Sequence, residues 1–295
     1  MSRSKIVLEI IRKETQLPKR GKHLDFGCGD GNLLKTFAKE LPDWDRYGYD
    51  VDENEADKIK SINGVKKFFC DGLADILESF DVITAVHSVE HMDNPSFIVE
   101  ILKTRLNENG SGRGVIVVPN IEKSPFDLLI ADHLTHFSSK GLSNLFHEFS
   151  VKILKNVLSK ELFCIVGNER NMKNKYYIDP LESIEYVNKS LDLIDKIRLE
   201  SIMIARNSKN FGIFGVSNIS TWLFAEMNEY VNYFVDEDKD RIGKKYMGKM
   251  ILSPKSIPEN AVVFIPFPQE LAAGIALRLN KNQNGRYIHT GYLNQ

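Results

Sequence analysis

The feature that most narrows the possible folds is a glycine-rich turn. HLDFGCGDG at residues 23–31 joins a short apolar run to a helix-like stretch that opens at Asn32. Gly27, Gly29 and Gly31 permit backbone angles closed to other residues and let a ligand approach the main chain. The helix start that follows presents unpaired N–H groups. The spacing departs from G-x-G-x-x-G because position 32 is Asn, and no Gly-Lys-Ser/Thr follows, which excludes a Walker phosphate loop. Nineteen residues past Gly31, Asp50 closes a second β-type run, RYGYD at 46–50. A carboxylate there can accept hydrogen bonds from both hydroxyls of a ribose; the alternative is that it caps the next helix. Asp71, followed by Gly72, ends a third run, where contact with an adenine amino group and a plain turn acid are both open.

Around this turn, apolar bursts at 23–26, 46–50, 80–87 and 114–119 alternate with helix-like stretches at 32–40, 54–62 and 95–106. Such alternation predicts a parallel sheet covered on both faces by helices. A helix over 142–158 and a strand over 162–166 are expected next. GNERNMKNKYYIDP at 167–180 is polar and reads as a connecting loop. A helix over 181–205 follows, with Ile184, Val187, Leu191, Ile194, Ile197 and Ile202 at helical spacing. A second α/β alternation then begins, with strands at 211–216, 231–235 and 261–266 and a helix at 220–230. The expected organisation is a first domain over 1–180, a linker helix over 181–205 and a second domain over 206–295, with the boundary near 205. The two glycine-bearing units resemble each other too loosely to be read as an internal repeat.

Composition excludes some functions. Lys plus Arg number 39 against 40 Asp plus Glu, a formal net charge of −1, where a general nucleic-acid binder would be markedly basic. Cys28, Cys70 and Cys164 are scattered and odd in number, so neither a disulfide framework nor a CxxC zinc site is expected, and a cytoplasmic location fits. The first twenty residues read as an amphipathic helix rather than a signal peptide, and no apolar run approaches a membrane span.

LDFGCGDG at 24–31, GYD at 48–50, FDVITAVHSVEHMDNP at 80–95 and GRGVIVVPN at 112–120 together resemble the class I S-adenosylmethionine-dependent methyltransferases, over about residues 20–166. The resemblance implies an α/β fold with the Rossmann-like sheet of that class, followed by a second, smaller Rossmann-like α/β domain. It implies S-adenosylmethionine as cofactor, with Gly27, Gly29 and Gly31 along its methionine part, Asp25 on its amino group and Asp50 on its ribose. Leu73 or its neighbours would flank the adenine. Cys28, Val51, Asp71, Gly72 and His87 complete the expected cofactor set.

Methyl transfer from a sulfonium needs little beyond positioning, unless a hydroxyl or carbon acceptor must lose a proton. His133 is the first candidate base, with Glu90, His91, Asp132 and His136 as neighbours that orient it or the acceptor; a purely lid-shaping role for His133 is the alternative. Glu90, His91, Asp132 and His133 show no diagnostic ligand spacing, so no metal is expected.

FGVSN at 214–218, YFVDEDKDRIGKKYMG at 233–248 and AVVFIP at 261–266 are similar to the C-terminal domain of bacterial sugar C-methyltransferases. That likeness implies acceptor binding, with Ser217, Asn218, Lys244 and Lys245 as candidate phosphate or nucleotide contacts. The N-terminal cysteine-rich zinc module of that family has no counterpart here, which leaves O- and C-methylation open. The expected partner is a small acceptor such as a nucleotide-linked or phosphorylated sugar, without nucleic acid or membrane, and a homodimer stays open. A methyltransferase acting on nucleic acid or protein, and a non-catalytic module binding S-adenosylmethionine or a nucleotide, are the other readings.

Overall fold

The computed structural model describes residues 2–70, 72, 75–107, 111–154, 157–158, 160–167, 180–281 and 285–291, with the side chains of 180–183 excepted. The loop expected at 167–180 lies almost wholly outside the described residues. The chain divides into two compact units, Met1–Asp127 with Ala131–Tyr186, and Val187–Gln295 with Leu128–Ile130.

In the first unit the elements run α1 (Arg3–Glu14), β1 (Lys22–Phe26), α2 (Asn32–Glu40), β2 (Asp45–Tyr49), α3 (Ala56–Lys60), β3 (Val65–Phe69), β4 (Val82–Val86), α4 (Ser96–Arg105), β5 (Arg113–Pro119), α5 (Ser139–Leu145), β6 (Ser150–Leu154) and β7 (Glu161–Gly167). Seven strands form one sheet in the order β3-β2-β1-β4-β5-β7-β6. The first five are parallel, while β7 runs antiparallel to both β5 and β6.

Successive strand residues point to opposite faces, and here both faces are apolar. Ile83, Ala85, Ile116 and Val118 pack on one side with Ile98, Ile101 and Leu102 of α4. Val82, Val115 and Val117 pack on the other with Val7, Leu8 and Ile11 of α1 and Phe37 of α2. Burial on both faces is what makes these strands read as continuous apolar runs.

The helix expected over 142–158 is corrected: α5 ends at Leu145, and Ser150–Leu154 is strand β6. The β-branched Val151 and Ile153 pack on the main core, and the segment completes an antiparallel hairpin with β7. Tertiary pairing outweighed a run that could be read with either period.

The helix expected over 181–205 is present as α6 (Pro180–Arg206), and the division of the units falls at Tyr186/Val187 inside it, not near 205. The second unit continues with β8 (Phe211–Phe214), α7 (Asn218–Met227), β9 (Tyr233–Val235), β10 (Lys245–Tyr246), β11 (Lys249–Leu252), β12 (Val262–Ile265), α8 (Gln269–Leu279) and β13 (Arg286–His289). Its sheet runs β10-β11-β9-β8-β12-β13, parallel except for the short β10. Counting the parallel strands of each unit from its own start, both sheets follow one order, 3-2-1-4-5. The two units are therefore alike in the order of their parallel strands.

Candidate functional site

The glycine turn leaves β1 at its carboxyl end, where open parallel sheets carry their ligands. Gly27 has φ +76°, and a Cβ on it would lie 2.3 Å from Cβ of Ser88. Gly29 has φ +47° with nothing within 4 Å of the position a Cβ would take, so its backbone faces open space. The amides of Gly27 and Cys28 both donate to the carbonyl of Tyr49. Gly29 N–H donates to Asp50 Oδ2 at 2.7 Å, and Asp52 N–H to Asp50 Oδ1 at 3.1 Å. The turn and the acid are thus one construction: Asp50 orders the loop beside which it would hold a ribose.

A cavity of about 790 Å³ opens at this end of the sheet. Gly27, Gly29, Asp50, Val51, His87 and His91 of the expected set line it, together with Asp132. Phe26 and Tyr49, stacked at 4.4 Å, supply an aromatic wall. Cys28 and Gly31 are not among the lining residues: the thiol is buried among Leu34, Ile59 and Phe68, which raises its pKa, and Gly31 stands at the N-cap of α2. Gly72 lies beside open space, away from this lining. Asp71 and Leu73 lie outside the described residues.

Asp25 is buried and does not line the cavity. Thr84 Oγ1 donates to it at 2.7 Å, and His23 Nε2 donates to the same hydroxyl at 2.8 Å. Burial raises the Asp25 pKa to about 7 despite the Thr84 hydrogen bond, with Asp50 adding to the rise. Burial lowers that of His23 to about 3, with Arg46 adding to the fall. A carboxyl that ionises at about 4 when unfolded and about 7 when folded favours the folded state fully below pH ~4. That contribution fades as the pH rises through ~7, for a total of about 4 kcal/mol. Asp25→Asn keeps an acceptor for Thr84 and removes the titration. Urea unfolding at pH 5 and pH 8 is therefore expected to show a larger loss of stability on raising the pH in the parent than in the variant.

The other side of the cavity is built from two loops. After β4, His87 takes a left-handed φ of +53° and hydrogen-bonds Glu90 Oε1 through Nδ1 at 3.0 Å. Its Nε2 lies 3.2 Å from Glu161 Oε1, which also takes Arg3 at 2.6 Å. Burial opposes the charged ring, but the two carboxylates outweigh it and raise its pKa to about 9. His87 thus stands between two acids that favour its charged form, a role beyond the cofactor contact expected for it.

After β5, the buried Asp127 accepts from Nδ1 of His133 through Oδ1 and from Nδ1 of His136 through Oδ2, each at 2.7 Å. His91 Nδ1 donates to the carbonyl of Asp132 at 2.9 Å, and the rings of His91 and His133 meet edge to face at 4.8 Å. Glu90 is buried, and its Oε2 has no hydrogen-bond partner. One atom each from Glu90, His91 and His133 lie within 4.8 Å of one another, a group of a kind that can hold a metal ion. No ligand spacing in the sequence indicated this, because His133 belongs to a separate loop. Asp127 and Glu161 were also missed, since neither stands in any pattern.

A glycine turn ordered by the acid at the end of the next strand, opening into a cavity bordered by histidines and carboxylates, agrees with the S-adenosylmethionine-dependent methyltransferases. Residues 3–156 match the family model described as "Methyltransferase domain", and the chain belongs to that family, whose methyl donor is S-adenosylmethionine. It is 28% identical over 158 residues to the mitochondrial ubiquinone biosynthesis O-methyltransferase of Saccharomyces cerevisiae, covering 50% of this chain and 48% of that one. It is 29% identical over 136 residues to the ubiquinone biosynthesis O-methyltransferase of Neisseria meningitidis serogroup C, covering 41% and 55%. The matches thus span about half the length of these relatives. Among solved structures, the plantazolicin methyltransferase BpumL in complex with SAH aligns with a TM-score of 0.45 at 18% identity, covering 57% of this chain and 81% of that one. Among the described residues, no helix is long and apolar enough to cross a membrane.

Proposed function

We propose that this protein transfers the methyl group of S-adenosylmethionine to a hydroxyl of a small acceptor. The observation that carries this reading is the continuity of one cavity from the Gly29–Asp50 pair to His91 and Asp132. The donor occupies the first end and the acceptor the second. The acceptor oxygen forms the new C–O bond as the C–S bond breaks with its electron pair passing to sulfur. The hydroxyl proton passes to Nε2 of His133, whose Nδ1–H is held by Asp127. Positioning supplies most of the acceleration, and a base of this kind adds roughly 10²–10⁴-fold. Oxygen is favoured over carbon as the acceptor atom because both sequence relatives are named as O-methyltransferases.

The finer reading is a nucleotide-linked or phosphorylated sugar as acceptor, with the second unit assisting. Its support is a second acid-and-turn pair: Asp236, at the end of β9, accepts Val216 N–H at 3.0 Å through Oδ2 and Asp238 N–H at 2.9 Å through Oδ1. This repeats the arrangement of Asp50 with Gly29 and Asp52. Arg241 lies 3.3 Å from the same Asp236 oxygen, so a nucleotide there would have to compete with a guanidinium.

Calorimetry with S-adenosylhomocysteine, then labelled-methyl transfer to nucleotide sugars and other hydroxylated small molecules, tests the reading. An O-methylated small product, its methyl position read by NMR, is expected. Transfer to RNA or protein but to none of the small acceptors would overturn it.

A further inference from the structure

We infer that the acceptor end of the cavity recognises a primary ammonium group, which makes the small acceptor a vicinal amino alcohol of the amino-sugar kind. The inference rests on the methyl-transfer reading and adds to it the group that stands beside the reacting hydroxyl. Three hydrogen-bond acceptors converge at this end with no donor among them. His91 spends Nδ1–H on the carbonyl of Asp132, and His133 spends it on the carboxylate of Asp127. Each ring is left with a lone pair on Nε2. Glu90 gives Oε1 to His87, while its buried Oε2 lacks any partner. His87 has no second donor to offer it, because its other nitrogen lies 3.2 Å from Glu161 Oε1. A buried carboxylate oxygen without a donor is uncommon in folded proteins, and a charged donor suits it best.

The spacing fits that group. One atom each from Glu90, His91 and His133 lie within 4.8 Å of one another. Acceptors ranged tetrahedrally around an ammonium nitrogen, at about 2.8–2.9 Å from it, stand about 4.6–4.7 Å apart. Glu90 and His91 can therefore share one ammonium as they stand, whereas a metal ion would need its ligands drawn in to ~3.4 Å. The charge of the cavity agrees. Asp50, Asp93 and Asp132 line it, and no lysine or arginine stands among the described residues that do so. A wall of this sign draws a cation. The arrangement also selects the atom that is methylated. With the nitrogen on Glu90 and His91, the hydroxyl of the adjacent carbon reaches Nε2 of His133. The ammonium has no lone pair and cannot take the methyl group. The hydroxyl gives its proton to His133, and its oxygen forms the C–O bond as the electron pair of the C–S bond passes to sulfur.

The test uses the full chain, treated with a chelator, and labelled S-adenosylmethionine. The probes are glucosamine, N-acetylglucosamine and glucose, each free and as the 6-phosphate. Glucosamine in one of these forms is expected to be methylated with a kcat/KM at least about 100-fold above its two matched analogues, since a site built around a substrate donor rejects compounds that lack it. NMR is expected to place the methyl on oxygen and to find the amine free. Glu90→Gln and His91→Ala are each expected to bring the preference within about tenfold, chiefly through KM. Their affinity for S-adenosylhomocysteine is expected to stay within about twofold of the parent, which also certifies the fold. If neither variant passes that check, the preference of the parent decides alone. Equal or reversed preference in the parent, no transfer to glucosamine in either form, an N-methylated product, or turnover only with an added divalent ion overturns the inference. A parent that does not bind S-adenosylhomocysteine overturns the methyl-transfer reading instead, so the two failures are distinct.

Discussion

Asp50→Ala is expected to weaken S-adenosylhomocysteine binding by 100-fold or more, measured by calorimetry on a variant whose melting temperature stays near that of the parent. Two losses add. The ribose loses a carboxylate that can accept from both hydroxyls, and hydrogen bonds to a charged group contribute about 1.5–3 kcal/mol each. The turn also loses its tether, because Asp50 Oδ2 takes Gly29 N–H at 2.7 Å and Oδ1 takes Asp52 N–H at 3.1 Å. A free Gly29 amide lets the loop sample conformations that do not fit the methionine part of the cofactor. Asp50→Asn separates the two effects. It keeps one acceptor oxygen but turns an amide donor toward a backbone N–H or a ribose hydroxyl, so it falls between parent and alanine. Gly29→Arg reaches the same end by filling the open space that Gly29 borders. Parent-like affinity in both Asp50→Ala and Gly29→Arg would remove this turn from the cofactor site.

That half of the site was legible because its signals are local. A glycine turn states its own backbone angles, and the acid that orders it ends the adjacent parallel strand, where Gly48 pairs with Asp25 and Tyr49 with Phe26. The acceptor half was only partly legible. His91 and His133 stood out as residue types, yet their meeting depends on the two loops that follow the interior strands β4 and β5, with Leu134 and Thr135 N–H both donating to the carbonyl of Glu90. Asp127, in a 3₁₀ turn at Pro125–Leu129, precedes His133 by six residues and His136 by nine, and no period links them. Glu161 reaches His87 because β7 runs antiparallel to β5, in a register that pairs Pro119 with Glu161. Such a register is set by packing of the whole sheet, and no window of sequence contains it. The misread 142–158 segment has the same origin, since Val151 and Ile153 are strand residues only because β7 lies beside them.

His133→Ala is expected to lower turnover by roughly 10²–10⁴-fold while leaving S-adenosylhomocysteine affinity within about twofold, since His133 meets the ring of His91 at the acceptor end of the cavity and not the Gly29–Asp50 turn. The size follows because the proton step needs the lone pair of Nε2, which the Nδ1–H bond to Asp127 leaves available. Asp127→Asn tests how that lone pair is set. Asp127 accepts from two imidazoles at once, one on each oxygen. An amide can accept from only one of them and must present N–H to the other. If the amide faces His133, the ring proton moves to Nε2 and activity falls nearly as far as in His133→Ala. If it faces His136, His133 keeps its tautomer and the loss is smaller. His136→Ala resolves the choice. Combined with Asp127→Asn it frees the side chain to place its oxygen on His133, so the double variant is expected to be more active than Asp127→Asn alone. Parent-like turnover in His133→Ala would assign that ring to shaping the loop, and the proton step would then fall to Glu90 or His91.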